Sequence, residues 1–305
     1  MAVLRAAEVL PPLTVSGRRR GRPTVWSRLA GDVKGRFGLV LLAAITVTVF
    51  LAPIAGTLDP MYQDLRARLL PPLGFERATV DHPLGTDQLG RDMLARLAWG
   101  GQISLYIGLV ASLAAGVVGV AAGLAAGYAR KAVDAVITAV ADVQLTFPNI
   151  LLALSIMVVL GPGIVNLIVV LALSSWVFQA RIVRAEVLSL KHRDFVEAGR
   201  AIGAGDLYLV LKYILPNVAG SILVLFTLTV VRVILAESSL SFLGLGVQPP
   251  APSWGGMLSE GRQYLASAWW AGTFPGLLLM VTIVAINLIG DSLRDIFDPR
   301  TYGPG

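Results

Sequence analysis

Few residues in this sequence have the type and spacing that metal or nucleotide chemistry requires. There is no cysteine, and the two histidines, His82 and His192, lie far apart, so the sequence predicts no metal site. None of the four lysines follows a glycine, so the phosphate-binding pattern G-x-x-x-x-G-K-[ST] is missing. No Ser-His-Asp set or pair of catalytic carboxylates stands out. The residue types therefore argue against an enzyme.

One polar segment groups charges of both signs. The stretch HPLGTDQLGRDMLARLAWGGQISL, His82–Leu105, places Asp87 and Asp92 close to Arg91 and Arg96. Opposite charges at this spacing favour ion pairs. We predict that these residues structure the segment and its contacts rather than perform chemistry.

The elements that position these residues are predicted to be membrane helices. The chain is 55% hydrophobic and only 14% charged, whereas soluble domains are about one quarter charged. A spanning helix needs roughly 20 apolar residues. The predicted fold is an all-α polytopic membrane protein with six transmembrane helices, the third bent at Pro148. The six predicted spans are Phe37–Ile54, Ile103–Tyr128, Ala141–Leu160, Ile164–Ala180, Val218–Ala236 and Phe274–Gly290.

The distribution of basic residues predicts the orientation of these spans. With a cytoplasmic N-terminus, 18 of the 25 Lys and Arg residues fall in cytoplasmic segments and six in outer loops. This bias indicates that both termini are cytoplasmic, and it accounts for the net charge without a nucleic-acid partner. The resulting division is a basic cytoplasmic segment 1–36, a membrane domain 37–305, outer loops 59–102 and 237–272, and a cytoplasmic loop 181–216.

Small residues recur along one stripe of the second span. Such spacing lets helix backbones approach closely in lipid. The stripe could pack within the chain or form a subunit interface, and the sequence leaves both alternatives open. Its members are Gly108, Ser112, Gly116, Gly119, Gly123 and Gly127.

The stretch EAGRAIGAGDLYLVLKYILP, Glu197–Pro216, interrupts the apolar pattern with two predicted amphipathic helices. Asp194 and Asp206 are predicted to cap them, with glycines ending the first helix and Pro216 opening the fifth span. The pair could lie on the membrane surface or fit a groove of a partner. The first apolar face comprises Phe195, Ala198, Gly199 and Ile202, and the second comprises Leu207, Val210, Leu211 and Ile214.

This stretch resembles the EAA loop of bacterial ATP-binding-cassette import permeases, and we call residues 194–216 the EAA-like loop. In that family the loop is a coupling helix that docks into a groove of the ATPase subunit. The resemblance implies two partner ATPases that carry ATP and Mg²⁺, and no cofactor or catalysis in this chain. Gly199 departs from the usual alanine, which weakens the helix by about 1 kcal/mol. The matching residues are Glu197, Ala198, Gly203, Ile214, Leu215 and Pro216.

Two further stretches, His82–Leu105 and Ala236–Leu258, resemble segments of peptide-type permeases. With the spans, the resemblance covers roughly residues 35–300, although Gln102 replaces a basic residue of many relatives. It implies a type I importer permease fold in the bacterial inner membrane, a homologous second permease and an extracytoplasmic solute-binding protein. The residues that carry the first of these two motifs are Gly85, Asp87, Gly90, Arg91 and Asp92.

The substrate stays open at this point. Peptide-type permeases also serve nickel, glutathione and other small solutes. A stand-alone secondary transporter is the alternative, but it predicts intramembrane ionisable residues for ion coupling and inverted repeats. We find one such residue well inside a span and no clear repeat.

That residue, Arg232, lies in the fifth predicted span. It is 14 residues beyond Val218, which is about 21 Å along a helix. Arg232 could anchor the helix by reaching outward, toward Glu237, or it could face a water-filled path and meet a peptide carboxylate. The sequence does not decide between these two alternatives.

Overall fold

The computed structural model describes residues 29–55 and 59–297, and the regular structure in these ranges is helical. Most of the predicted basic segment 1–36 lies outside the described residues. Outside the helices, an isolated β-bridge joins Thr86 and Asp92. The main helices are α1 (Val33–Ala55), α2 (Met93–Tyr128), α3 (Lys131–Thr146), α4 (Asn149–Leu160), α5 (Ile164–Leu190), α6 (Asp194–Ala201), α7 (Asp206–Leu209), α8 (Leu215–Phe242), α9 (Trp254–Gly261) and α10 (Trp270–Phe297).

The number of spans depends on one bend. Within the described ranges, five helical segments are long and apolar enough to cross a membrane, and α3 with α4 makes a sixth if the pair is one span. These two helices meet at 91° beside Pro148, which lacks the N–H needed to continue a helix. The all-α polytopic class is confirmed, with six spans when the bent pair counts as one.

Several helices extend beyond the predicted spans. α2 begins at Met93 rather than Ile103, and α5 continues to Leu190 rather than Ala180. A span predicted from hydropathy ends where charged residues begin, but ion pairs allow charged residues to lie within helices. Arg184 of α5, for example, places its Nε 2.5 Å from the Asp134 carboxylate of α3. The first part of the predicted loop 181–216 is therefore helical.

The second predicted helix of the EAA-like loop is not separate. α7, a π-helical turn at Val210–Ile214 and α8 form one continuous segment, Asp206–Phe242. Pro216 lies in the first turn of α8, as predicted, but α8 continues from α7 through the π turn rather than starting after a break. The ring of a proline crowds the carbonyl four residues earlier, here that of Lys212, which lies in the wider π turn.

The stripe of small residues on α2 packs within the chain. A Cβ at Gly119 would lie 2.6 Å from the Trp176 carbonyl oxygen, and one at Gly123 would lie 2.7 Å from that of Ala180. The backbones of α2 and α5 therefore touch, as small residues permit in lipid. Of the two alternatives for the stripe, the intrachain one is observed. Apolar side chains of α4 and α8 complete the core beside this pair.

Candidate functional sites

The first helix of the EAA-like loop, α6, begins at Asp194. Arg193 occupies its N-cap position and makes no side-chain cap hydrogen bond. Asp206 is likewise the first residue of α7, with Gly205 at the N-cap. The prediction that these aspartates cap the helices is therefore wrong. Asp194 and Glu197 instead lie in the first turn of α6, where negative charge stabilises the positive end of the helix dipole.

A glycine turn ends α6. The N–H of Gly203 donates to the Arg200 carbonyl at 3.0 Å, and the N–H of Ala204 donates to the Gly199 carbonyl at 3.1 Å. This pair of bonds is the Schellman motif, which requires a left-handed residue after the helix. Gly203 supplies it, with φ of 85°.

The side chains of α6 point in two directions. Val196 and Gly199 are buried, and Val196 joins an apolar cluster with Val183 and Val187 of α5. Glu197 and Ala198 are exposed. The predicted apolar face is therefore divided: Gly199 faces the protein, whereas Phe195 is 38% exposed and Ile202 is 84% exposed.

The C-terminal part of the EAA-like loop connects α6 to α8. Ile214 is fully buried in the same cluster as Val196. Leu215 is half-buried and Pro216 is exposed. Leu207 of α7 is 73% exposed. The loop therefore packs on the spans along one side and presents apolar side chains on the other.

A side cavity of about 580 Å³ lies between α3, α5 and α8. Arg232 lines it, and its guanidinium lies 3.8 Å from the centre of the Phe178 ring. Arg181 also lines the cavity and pairs with Asp142. Further polar lining comes from Gln144, Asn149, Ser174, Ser175 and Thr229.

Arg232 does not reach toward Glu237. The Glu237 carboxylate is fully buried and accepts hydrogen bonds from the hydroxyls of Ser241, at 2.8 Å, and Ser238, at 3.2 Å. Arg232 is instead exposed at the cavity. Phe178 was not anticipated from the sequence, because nothing in its local pattern distinguishes it from other apolar residues of the span.

Four charged residues form a cluster at the start of α2, at the opposite end of that helix from the EAA-like loop. The Asp87 carboxylate accepts from Arg91 Nε at 2.6 Å and from Arg96 Nη1 at 2.5 Å. Glu260 of α9 accepts from both arginines at 2.8 Å. We call these four residues the arginine–carboxylate cluster. Its two arginines and Asp87 are almost fully buried.

The environment of Glu260 favours its charged form. Burial raises the pKa of this carboxyl, but the hydrogen bonds and charges of Arg96 and Arg91, with the amide of Gln88, outweigh burial and hold the pKa below its ordinary value. Glu260 was missed in the sequence because it lies 164 residues from Arg96.

The remaining residues of the motif shape the segment around the cluster. Asp92 caps α2 by accepting from the Ala95 N–H at 2.8 Å, and its other oxygen lies 2.9 Å from His82 Nδ1. Gly85 and Gly90 both have positive φ. A Cβ at Gly90 would lie 1.7 Å from the Asp64 carbonyl oxygen, so only glycine fits there. The prediction that the charges structure this segment agrees with these contacts.

The fold defines a polytopic, all-helical membrane protein. A family model for the inner membrane component of binding-protein-dependent transport systems matches residues 119–302. The chain belongs to this family, which favours the importer over the stand-alone secondary transporter and makes the chain a multi-pass permease component of the inner membrane.

Similar proteins of known name are transport permeases. The chain is 39% identical to the di/tripeptide transport system permease protein DppC of Pseudomonas aeruginosa, over 90% of this chain and 91% of that one. It is 38% identical to the dipeptide permease DppC of Bacillus subtilis, over 90% and 84%. It is 44% identical to the glutathione permease GsiD of Escherichia coli, over 74% of each chain.

A solved structure shares the fold. A chain of the MetNI methionine ABC transporter in an inward-facing conformation superposes with a TM-score of 0.57 at 21% identity. The match covers 68% of this chain and 98% of that chain. The predicted type I importer permease fold is confirmed by this likeness.

Proposed function

We propose that this chain forms one half of the translocation path of an ATP-driven importer of di- or oligopeptides. A homologous second permease forms the other half, two cytoplasmic ATPases bind ATP and Mg²⁺, and an extracytoplasmic protein delivers the solute. The chain itself carries no cofactor and no catalytic activity. Both termini are cytoplasmic, in agreement with the distribution of basic residues. The di- and tripeptide permeases among the similar proteins support the substrate class.

The observation that carries this proposal is the exposed apolar side of the EAA-like loop. Ile202 and Leu207 are 84% and 73% exposed although the other side of the loop is packed. Clustered apolar residues on a surface mark contact sites. α6 carries two carboxylates and one arginine, whereas helices that bind anionic lipid are rich in Lys and Arg. A groove of an ATPase is therefore a better partner than the membrane surface.

Cross-linking tests this contact directly. The chain has no cysteine, so Ile202→Cys introduces a single attachment point for a short thiol cross-linker. In the co-expressed complex we expect a covalent product with the ATPase. Val80→Cys is the matched control, because Val80 is 85% exposed in a predicted outer loop. A product with the ATPase from Val80→Cys, or none from Ile202→Cys, would contradict both the docking and the orientation.

The side cavity supports the assignment of the path. Its volume of about 580 Å³ lies within the usual range for small-molecule sites. Arg232 has no carboxylate partner among the described residues, and an intramembrane arginine is costly. A guanidinium exposed in such a cavity is suited to a peptide carboxylate, which it binds through two hydrogen bonds. The second permease would close the open side.

Substitution of Arg232 tests this assignment. We expect Arg232→Leu to insert and assemble but to import radiolabelled alanylalanine at least about ten-fold more slowly, with Arg232→Lys intermediate. Arg262→Leu is the matched control, because Arg262 also stacks on a phenylalanine, Phe242, but does not line the cavity. Wild-type uptake by Arg232→Leu at every substrate concentration would mean that Arg232 only anchors the helix.

A further inference from the structure

Tyr128, the last residue of α2, contacts three other segments of the chain. Its hydroxyl donates to Asp206 Oδ1 of α7 at 2.8 Å and accepts from Arg200 Nη2 of α6 at 3.4 Å. Its carbonyl oxygen accepts from Lys191 Nζ, directly after α5, at 2.9 Å. The same ammonium lies 5.6 Å from the centre of the Tyr128 ring. One residue, through its side chain and its backbone carbonyl, therefore joins the ends of α2 and α5 to both helices of the EAA-like loop.

The two loop residues that contact Tyr128 lie on either side of the glycine turn. Arg200 precedes Gly203 and Asp206 follows it. The turn itself is flanked by two buried apolar residues, Val196, which packs against α5, and Leu209, which lies against Gly199 of α6. Apolar contacts have no preferred direction. Hydrogen bonds are directional, so those of Tyr128 fix the orientation of the turn relative to α2.

Tyr128 lies at the end of a rigid helix pair, α2 and α5. Gly119, Gly123 and Gly127 bring the backbone of α2 against α5 with no space for a side chain. Close packing of this kind transmits displacement rather than absorbing it. α5 leads from Lys191 back to Phe178, which lies against Arg232 in the side cavity. The separation of 13 residues corresponds to about 20 Å of helix.

We propose that Tyr128 is the positioning residue through which movement of the EAA-like loop is transmitted to the helices that line the side cavity. The inference rests on the proposed docking of an ATPase on that loop. When the ATPase displaces α6, the hydroxyl of Tyr128 pulls the ends of α2 and α5 with it. Without the hydroxyl, the loop slides on its apolar contacts and the cavity does not respond.

The experiment measures the accessibility of the side cavity rather than transport, so the substrate need not be known. Ser175, on α5, lines the cavity, and the chain has no cysteine. In the assembled complex, the thiol introduced by Ser175→Cys is labelled with a membrane-impermeant maleimide, with and without ATP and vanadate. The label on this chain is measured after the subunits are separated. We expect the labelling rate to change when ATP binds.

Tyr128→Phe is then added to the same background. It removes both hydroxyl hydrogen bonds and keeps the ring beside Lys191. We expect the ATP-dependent change in labelling rate to fall about five-fold, while the ATPase still co-purifies with the complex. Tyr106→Phe is the matched control, because Tyr106 lies on the same helix, α2, is 57% exposed, and belongs neither to the side cavity nor to the EAA-like loop. This control should respond as the parent does.

Three other results would overturn the inference. An unchanged response in Tyr128→Phe would show that the loop acts through other residues. Loss of the ATPase from the Tyr128→Phe complex would make the residue part of docking instead. A parent complex that neither responds to ATP nor cross-links to the ATPase through Ile202→Cys would contradict the proposed function as well. Failure of the inference alone is thereby distinguished from failure of the proposed function.

Discussion

The side chains around the two ends of α2 are arranged in opposite ways, paired within the chain at its start and partly exposed at its end. At its start, Asp87, Arg91, Arg96 and Glu260 pair with one another, and nearly all of this charge is buried within the chain. At its end, the EAA-like loop buries one side and leaves Phe195, Ile202 and other apolar side chains in solvent.

This difference implies that the region at the start of α2 serves the folding of the chain, whereas the EAA-like loop serves coupling to the ATPase. A buried charge that loses its partner destabilises the chain itself, so the arginine–carboxylate cluster should act on stability. An exposed apolar surface contributes little to the fold of the isolated chain, so the EAA-like loop should act on the assembled transporter. The predictions below test this division, beginning with the largest expected effect.

Asp87→Ala should break the arginine–carboxylate cluster. It leaves two buried arginines with Glu260 alone, and breaking a buried pair costs about 3–5 kcal/mol. We expect a large fall in the yield and melting temperature of the detergent-purified subunit. Asp81→Ala, at an exposed position of the same segment, is the control and should melt as the wild type does. A wild-type melting temperature for Asp87→Ala would refute the structural role of the cluster.

Gly203→Val should abolish transport without preventing insertion. Gly203 has φ of 85°, where a β-branched residue costs about 1–3 kcal/mol, enough to distort a turn but not to unfold the spans. Uptake by proteoliposomes and ATPase stimulation by loaded binding protein should both be lost.

The control for this turn is Gly203→Asn, because asparagine tolerates the left-handed region. Uptake by this variant should remain. Normal uptake by Gly203→Val would mean that the turn geometry is not required for coupling.

Glu260→Gln should alter the response to acid. The folded-state pKa of Glu260 lies below its ordinary value of 4.5. Its contribution to stability is therefore complete above the ordinary pKa and is lost as the pH falls through the lower folded-state value. We expect Glu260→Gln to be about 1–3 kcal/mol less stable at neutral pH and to lose less stability on acidification. Parallel stability curves from pH 7 down to pH 3 would contradict this assignment.

The smallest effect is expected from Gly199→Ala. The new Cβ would lie 2.7 Å from Leu209 Cδ2, a methyl group that can move, and alanine favours the helix by about 1 kcal/mol. Uptake should stay within about two-fold of wild type, since these two effects oppose each other. Gly90→Ala is the contrasting variant, because its Cβ would meet the Asp64 backbone and folding should fail. Equal tolerance at both positions would refute the division between the two ends of α2.

Much of the architecture could be predicted from the sequence. Apolar runs predicted the helical class, and the bend at Pro148 followed from proline chemistry. Helix bounds were less accurate where charged residues continue a helix, as Arg96 and Arg184 do, because hydropathy takes no account of the carboxylates that pair with them. The two aspartates predicted as caps lie one residue inside their helices, where the same preference for negative charge applies.

The sites were predictable in proportion to their locality in the chain. The EAA-like loop and the charges from Asp87 to Arg96 are continuous in sequence, so their patterns are recognisable. Glu260, Phe178 and Tyr128 acquire their importance from residues on distant helices, and no local pattern marks them. Gly199 was predicted on the same face as Ile202 but faces the protein, because the small residue allows Leu209 to approach.

The π turn before Pro216 has a consequence for the direction in which the EAA-like loop faces. Such a turn contains one more residue than the α-helical turn it replaces. One residue of an α-helix corresponds to a rotation of about 100°. Deletion of Leu211 would restore the number of residues in an α-helical turn and rotate the preceding part of the EAA-like loop about the helix axis. Ile202 would then face a different direction. The direction in which this surface faces therefore depends on the number of residues in the chain as well as on the side-chain contacts that hold the loop.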